Sequence, residues 1–153
     1  MHVCIITSSF PLDPGDGRAA AGLFVRDFAV DLAELGEQVT VLTPDKRGGP
    51  KADVPGVKTH WFSWCGGDKP LAYLKPWRPF DALAIWSLLR NGRRALRELA
   101  ASEKFDHVLA MWAVPAGYLA MGLQKQTGTP FTTWCLGSDI WTYGEYPGLR
   151  NIV

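Results

Sequence analysis

Between Val3 and Thr43 the hydrophobic pattern switches from strand-like to helix-like and back, which confines the chain to folds built from parallel crossovers. Val3 to Thr7 is a short β-branched run closed by Ser8-Ser9-Phe10-Pro11. A loop holding Pro14, Gly15 and Gly17 follows, and then Leu23/Phe24, Phe28, Leu32 and Leu35 recur at helical spacing. Gly36 stands where a helix stops in the left-handed region, and Gln38 to Thr43 reads as a second strand ended by Pro44. Strand, glycine-containing loop, helix and strand in that order predict a right-handed βαβ unit.

The same alternation continues. Val57 to Phe62 reads as a third strand, and the prolines and glycines of Ser63 to Phe80 oppose regular structure. A long helix is expected from about Asp81 to Ala101, a fourth strand over His107 to Met111, and a helix from Pro115 to Gln126 that ends at Gly128. Phe131 to Cys135 makes a fifth strand. Buried-type strands alternating with helices predict an α/β fold, a doubly wound and mainly parallel sheet with helices on both faces.

Its 153 residues fit one domain, 1–153. The segment Leu149 to Val153 turns apolar without a helix terminator, so the expectation is a domain cut before a partner domain begins. A net charge of +1 draws the chain to no nucleic acid. Cys4, Cys65 and Cys135 are odd in number and widely spaced, which argues against a disulfide framework and a zinc site. Cys4 and Cys135 are expected inside strands as small hydrophobes, and Cys65 in a loop. The start has no basic region or cleavage site, and no apolar run approaches the roughly 20 residues that span a bilayer. A reducing cytoplasm is the expected compartment.

In an open parallel sheet, ligands bind at the carboxyl ends of the strands where the strand order reverses. Two loops there carry chemistry. After strand one, Gly17 and Gly22 let backbone approach a ligand, the next helix offers amides to phosphate, and Arg18 adds donors. The same glycines equally serve turns and close packing. After strand five, Gly137, Ser138 and Asp139 offer close approach, a hydroxyl and a carboxylate, or else a helix N-cap with an acidic first turn. Gly15 to Ala20 also fits the dinucleotide pattern G-x-G-x-x-A, with Asp45 near the end of strand two. That alternative, a nicotinamide or flavin oxidoreductase, needs the first glycine directly off the strand, and here a loop with two prolines intervenes.

Taken in order, these segments resemble family-4 glycosyltransferases of the GT-B type. The resemblance rests on Ser8-Ser9-Phe10-Pro11, the glycine-led helix Ala21 to Ala29, and Leu35 to Pro44. It continues through Phe105 to Val108, Trp112 to Gly117, Thr127 to Pro130 and Gly137-Ser138-Asp139. It implies the N-terminal, acceptor-side Rossmann-like half of a retaining enzyme that moves a sugar from a nucleotide-sugar donor without metal or cofactor, in cell-envelope or exopolysaccharide glycan synthesis. The donor's nucleotide would be held mainly by a second domain. Gly17, Arg18 and Gly22 would reach the donor phosphates. Trp112, Gly137 and Ser138 would line a glycan or lipid-linked acceptor, with Asp139 at the reacting centre. The chain departs from the pattern at Leu136, where the family often has His before Gly-Ser-Asp, and at Leu109 and Met111. Leucine moves no proton, so a non-catalytic sugar- or partner-binding module is a further alternative.

A second surface stands out. Trp61, Phe62, Trp64, Tyr73, Trp77 and Phe80 interleave with Lys69, Lys75 and Arg78, followed by Arg90 and Arg94 on the long helix. Most of these rings are expected in the core with the arginines on a solvated face. The alternative is that Trp77, Arg78, Arg90 and Arg94 meet an acceptor or an anionic membrane, placing the protein peripherally on the inner face of the plasma membrane.

Overall fold

The computed structural model describes residues 1–12, 20–46, 48, 51 and 53–137. Five strands, β1 (His2–Ile6), β2 (Gln38–Asp45), β3 (Val57–Ser63), β4 (His107–Met111) and β5 (Phe131–Trp134), form one sheet in the order β3-β2-β1-β4-β5. Every pairing is parallel. Helix α1 (Ala20–Glu34) lies on one face, and α2 (Pro79–Ser102) and α3 (Tyr118–Thr127) lie on the other. This is the doubly wound α/β sheet the alternation predicts.

Strand parity decides which side chain meets which helix. Val3, Ile5, Val39, Val41 and Met111 point to the α1 face and pack with Val25 and Ala29. Cys4, Ile6, Leu42, Val108 and Ala110 point the other way and pack with Leu88, Leu96 and Leu99 of α2 and with Leu119 and Leu123 of α3. Two glycines end helices as expected: Gly36 has φ 89° after α1, and Gly128 has φ 76° after α3.

Several expectations are corrected. Pro44 does not end β2, which runs on to Asp45 with Pro44 opposite Phe62 of β3. Pairing with β1 stops at Leu42, so beyond it one edge of β2 carries no ladder and a residue without an N–H is tolerated. Pro79 does not oppose α2 but opens it, since the first helical N–H has no partner to lose. Helix α3 starts at Tyr118 instead of Pro115, because Val114 is extended and the Gly117 amide closes a wide turn on the Trp112 carbonyl at 3.1 Å. Cys135 lies just past β5 and is exposed, whereas Cys4 is fully buried, and burial pushes its thiol up to about 12.

The segment after β3 is irregular apart from a short 3-10 turn at Leu71–Tyr73, yet α2 holds it along its length. Ser87 Oγ accepts from the Cys65 amide at 3.0 Å, and Asn91 Nδ2 donates to the Ser63 carbonyl at 2.9 Å. At the helix N-terminus, buried Asp81 accepts from Lys69 Nζ at 2.5 Å and from the Lys75 amide at 3.0 Å. The Lys69 hydrogen bond, and then the Lys75 amide, hold the Asp81 carboxyl below its ordinary value. A lowered native pKa gives stability that is complete above the unfolded value, about 4, and is lost as pH falls through the native one. Limited proteolysis within residues 63–78 is therefore expected to quicken below about pH 4. In Asp81→Asn it is expected to be fast already at neutral pH.

Candidate functional site

The strand order reverses between β1 and β4, so the connections leaving their carboxyl ends diverge and open a crevice at the sheet's top edge. The β1 side is built by Thr7 to Leu12. Thr7 extends the ladder by donating its amide to the Leu42 carbonyl at 3.0 Å. Its buried hydroxyl donates to the Ser9 carbonyl at 2.8 Å and accepts the Ser9 amide at 3.1 Å, closing a tight turn. That turn delivers Phe10 into the core under α1, edge-on to Trp61 with centroids 6.0 Å apart.

Gly22 is the contact that sets loop and helix together. A Cβ built there would lie 3.0 Å from the Phe10 Cα and 3.1 Å from its nitrogen. Both neighbours are backbone, so no rotamer change relieves the clash. Of the two readings left open for Gly22, close packing is what the geometry demonstrates. The same closeness brings the first turn of α1 against the loop that leaves β1.

The β4 side is Trp112. It has φ 74° and ψ 141°, and no other non-glycine among the described residues has a positive φ. For a bulky residue such a backbone costs about 1–3 kcal/mol and persists only where surroundings impose it. Here they do. The Trp112 amide donates to the Trp134 carbonyl at 3.0 Å, its carbonyl accepts from Gly117, and its ring packs half-buried against the α1-side core. Gly117 fits closely as well, since a Cβ there would sit 3.0 Å from Thr133 Oγ1 on β5.

Strand β5 supplies the third wall. Trp134 stands edge-on to Phe24 and Phe28 of α1, with centroids 5.8 and 5.4 Å away. Beyond it the chain passes exposed Leu136 and turns at Gly137, whose φ is 96°. Thus Gly22, Trp112, Leu136 and Gly137 all lie at the carboxyl ends of the strands around the reversal, as expected. Gly17, Arg18, Ser138 and Asp139 lie outside the described residues, as does most of the G-x-G-x-x-A stretch. Leu109 and Met111, at the other departures from the family pattern, are packed in the α1-side core and not in the crevice.

Asp45, the acid considered for a dinucleotide, accepts from Lys51 Nζ and from the Gly48 amide, both at 2.8 Å. Among the described residues, no three His, Cys, Asp or Glu side chains group to hold a metal ion. No helix among them is long and apolar enough to cross a membrane. The described charge cluster of His2, Thr40, Lys58 and Glu103 sits at the opposite, amino end of the strands.

Thr7, Phe10, Thr133 and Gly117 shape the crevice without having been singled out for it. Phe10 lies within a quoted motif, but its contact with Gly22 joins residues twelve positions apart and has no local signature. The patch residues fall elsewhere. Phe62 and Trp64 are buried as expected, whereas Tyr73, Trp77 and Phe80 are exposed, because no element among the described residues covers the segment that follows β3.

Comparison with known proteins agrees with this architecture. Two structures of the C-terminal domain of a hydrogenase from Pyrococcus furiosus match at 19% identity and TM-score 0.55. They cover 86% and 87% of this chain and 89% and 90% of those chains. Apo UGT2 from Phytolacca americana matches at 17% identity and TM-score 0.51, covering 88% of this chain but only 29% of that one. At these identities the likeness is one of fold. No curated protein sequence matches the chain. The model of the glycosyl transferase 4-like domain matches residues 20–150, from the helix beside the β1 loop to beyond β5. The chain therefore belongs to the glycosyl transferase 4-like domain family.

Proposed function

We propose that this domain is the acceptor-side wall of a two-domain retaining glycosyltransferase that draws a sugar from a nucleotide-sugar donor for cell-envelope or exopolysaccharide glycan assembly. The family match supports the transferase class. The observation that carries the site is Trp112, a bulky residue fixed at φ 74° beside the β1 loop, where the sheet reverses. Strain of this kind persists where the fold around it imposes it, and the half-buried ring, packed on the α1-side core at the carboxyl end of β4, leaves part of its surface for a sugar ring to stack on.

The chemistry in this reading is electrostatic. Amides of the loop between β1 and α1, with Arg18, steady the departing diphosphate, while a facing domain holds the nucleotide. Ser138 and Asp139 meet the acceptor, and no metal or cofactor takes part. Leu136 offers no proton at the position where related enzymes often have His. The role of that His then passes to Asp139 and to backbone amides.

Two measurements test the reading. The 153-residue chain alone is expected to show no transfer from nucleotide sugars, and joined to a nucleotide-binding second domain it is expected to show turnover. In that active enzyme, Trp112→Ala is expected to lower kcat/KM for the acceptor by about tenfold or more, since small misplacements are costly in catalysis. Unchanged kcat/KM would remove Trp112 from the site. Transfer by the chain alone would overturn the two-domain reading, and tight binding of a nicotinamide or flavin dinucleotide would favour an oxidoreductase.

A further inference from the structure

The segment from Tyr73 to Arg90 presents an apolar surface that no described element covers. Relative exposure is 69% at Tyr73, 68% at Trp77, 87% at Phe80, 51% at Leu83 and 54% at Trp86. Leu83, Trp86 and Arg90 fall on one outward face of α2, opposite the face that buries Ala84, Leu88 and Leu99. Two rings carry a cation: Lys75 Nζ is 5.9 Å from the Trp77 ring and the Arg90 guanidinium 5.0 Å from Trp86.

This surface is held in place. The bonds from Asp81, Ser87 and Asn91 fix the 63–78 segment onto α2 from the buried side. The apolar side chains therefore point outward from a supported backbone. The charge balance is one-sided as well. Asp81 is buried on Lys69 and Glu98 is bonded to Arg94, which leaves Asp68 as the exposed acid of the segment. Lys75 and Arg90 form no salt bridge among the described residues and lie against the Trp77 and Trp86 rings, while Arg78 forms none either and only adds its charge to that of Lys69 near Asp81.

We propose that Tyr73, Trp77, Phe80, Leu83 and Trp86, rimmed by Lys75, Arg78 and Arg90, form a docking surface for an anionic lipid bilayer. The composition matches that environment on two counts. Trp and Tyr are amphipathic and settle at the headgroup level, and Phe and Leu add apolar insertion. Cations at the rim are attracted by anionic headgroups, each contributing roughly a fivefold factor in binding. A second copy of the chain fits worse, because a symmetric contact would set Lys75, Arg78 and Arg90 against their own kind. The segment begins at the carboxyl end of β3, the same edge of the sheet that holds the crevice. Docking there brings the crevice close to an acceptor carried on a lipid.

Vesicle sedimentation of the 153-residue chain tests this without any turnover, so its failure leaves the transferase reading intact and the reverse also holds. Vesicles of equal parts phosphatidylglycerol and phosphatidylcholine are expected to bind at least about tenfold more protein than phosphatidylcholine alone, given three rim cations. The difference is expected to shrink in about 0.5 M salt, where charges are screened within a few ångströms. Lys75→Ala with Arg90→Ala is expected to weaken binding by roughly 25-fold, two fivefold factors. Trp77→Ser with Phe80→Ser is expected to abolish it, while circular dichroism and the melting temperature stay unchanged because both rings are exposed. Brominated lipid is expected to quench the wild-type tryptophan emission. Equal binding to both vesicle types would overturn the proposal. So would reversible dimerisation in ultracentrifugation that the Trp77→Ser, Phe80→Ser variant abolishes, since the surface would then join copies of the chain.

Discussion

Gly22→Val is expected to destabilise the domain by roughly 1–3 kcal/mol, the usual range for forcing extra atoms into a packed site, and to shift the loop after β1. The expectation follows from what the new atoms would meet. The first added carbon already lies 3.0 Å from the Phe10 Cα, and the valine methyls lie further along the same direction. Phe10 cannot retreat easily, because its ring is buried among Val25, Ala29 and Met111 and edge-on to Trp61. Either α1 lifts from the sheet or the turn closed by Thr7 opens. Both routes move the loop amides that the transferase reading assigns to the donor diphosphate. Loss of activity is therefore expected to exceed what the stability loss alone explains. Gly36→Ala serves as the control. Gly36 has φ 89° with nothing within 4 Å of a built Cβ, so its cost, about 1 kcal/mol, is conformational only and touches no site. Urea unfolding of the two variants separates the cases, and equal effects would mean that Gly22 is held no more tightly than an ordinary turn.

Much of the fold was legible because periodicity reports burial directly. Val3 to Ile6 is apolar throughout, as a strand covered on both faces must be, and its side chains go alternately to the two cores. Gly36 and Gly128 were readable as helix ends because an αL backbone favours glycine. The errors share another origin. Pro44 looked like a stop because a proline removes an N–H, but whether that N–H is needed depends on how far β1 extends beside it. Cys135 looked buried because it follows Phe131 to Trp134, yet the strand ends one residue earlier. Trp77 and Phe80 look like core because large rings usually are, and only the topology reveals that no element among the described residues lies over them. The crevice was legible in outline from Gly22, Trp112 and Gly137. Its cause was not: the clash that Gly22 avoids and the φ of Trp112 are tertiary facts, imposed by Phe10 in one case and by Trp134 and Gly117 in the other.

Helix α2 serves two roles that one substitution can separate. Its inner face fills the core through Leu88, Leu96 and Leu99, and its outer face carries the exposed rings and arginines. Leu96 is 2% exposed and sits in the cluster that joins α2 to Leu42, Val108 and Leu119. Leu96→Ala removes buried atoms and leaves a cavity that the sheet below and α3 beside it cannot readily fill. The expected cost is about 2–5 kcal/mol, the largest among these substitutions. For a domain of this size that corresponds to a fall of roughly 5–15 °C in melting temperature. The protein that remains folded is nevertheless expected to bind anionic vesicles as the wild type does. Asp81, Ser87 and Asn91, which fix the outer segment, lie closer to the helix N-terminus and keep their partners. Trp77→Ser with Phe80→Ser is expected to give the reverse, full stability without vesicle binding. Loss of binding in folded Leu96→Ala would mean that the outer surface depends on the whole helix and not on its local supports.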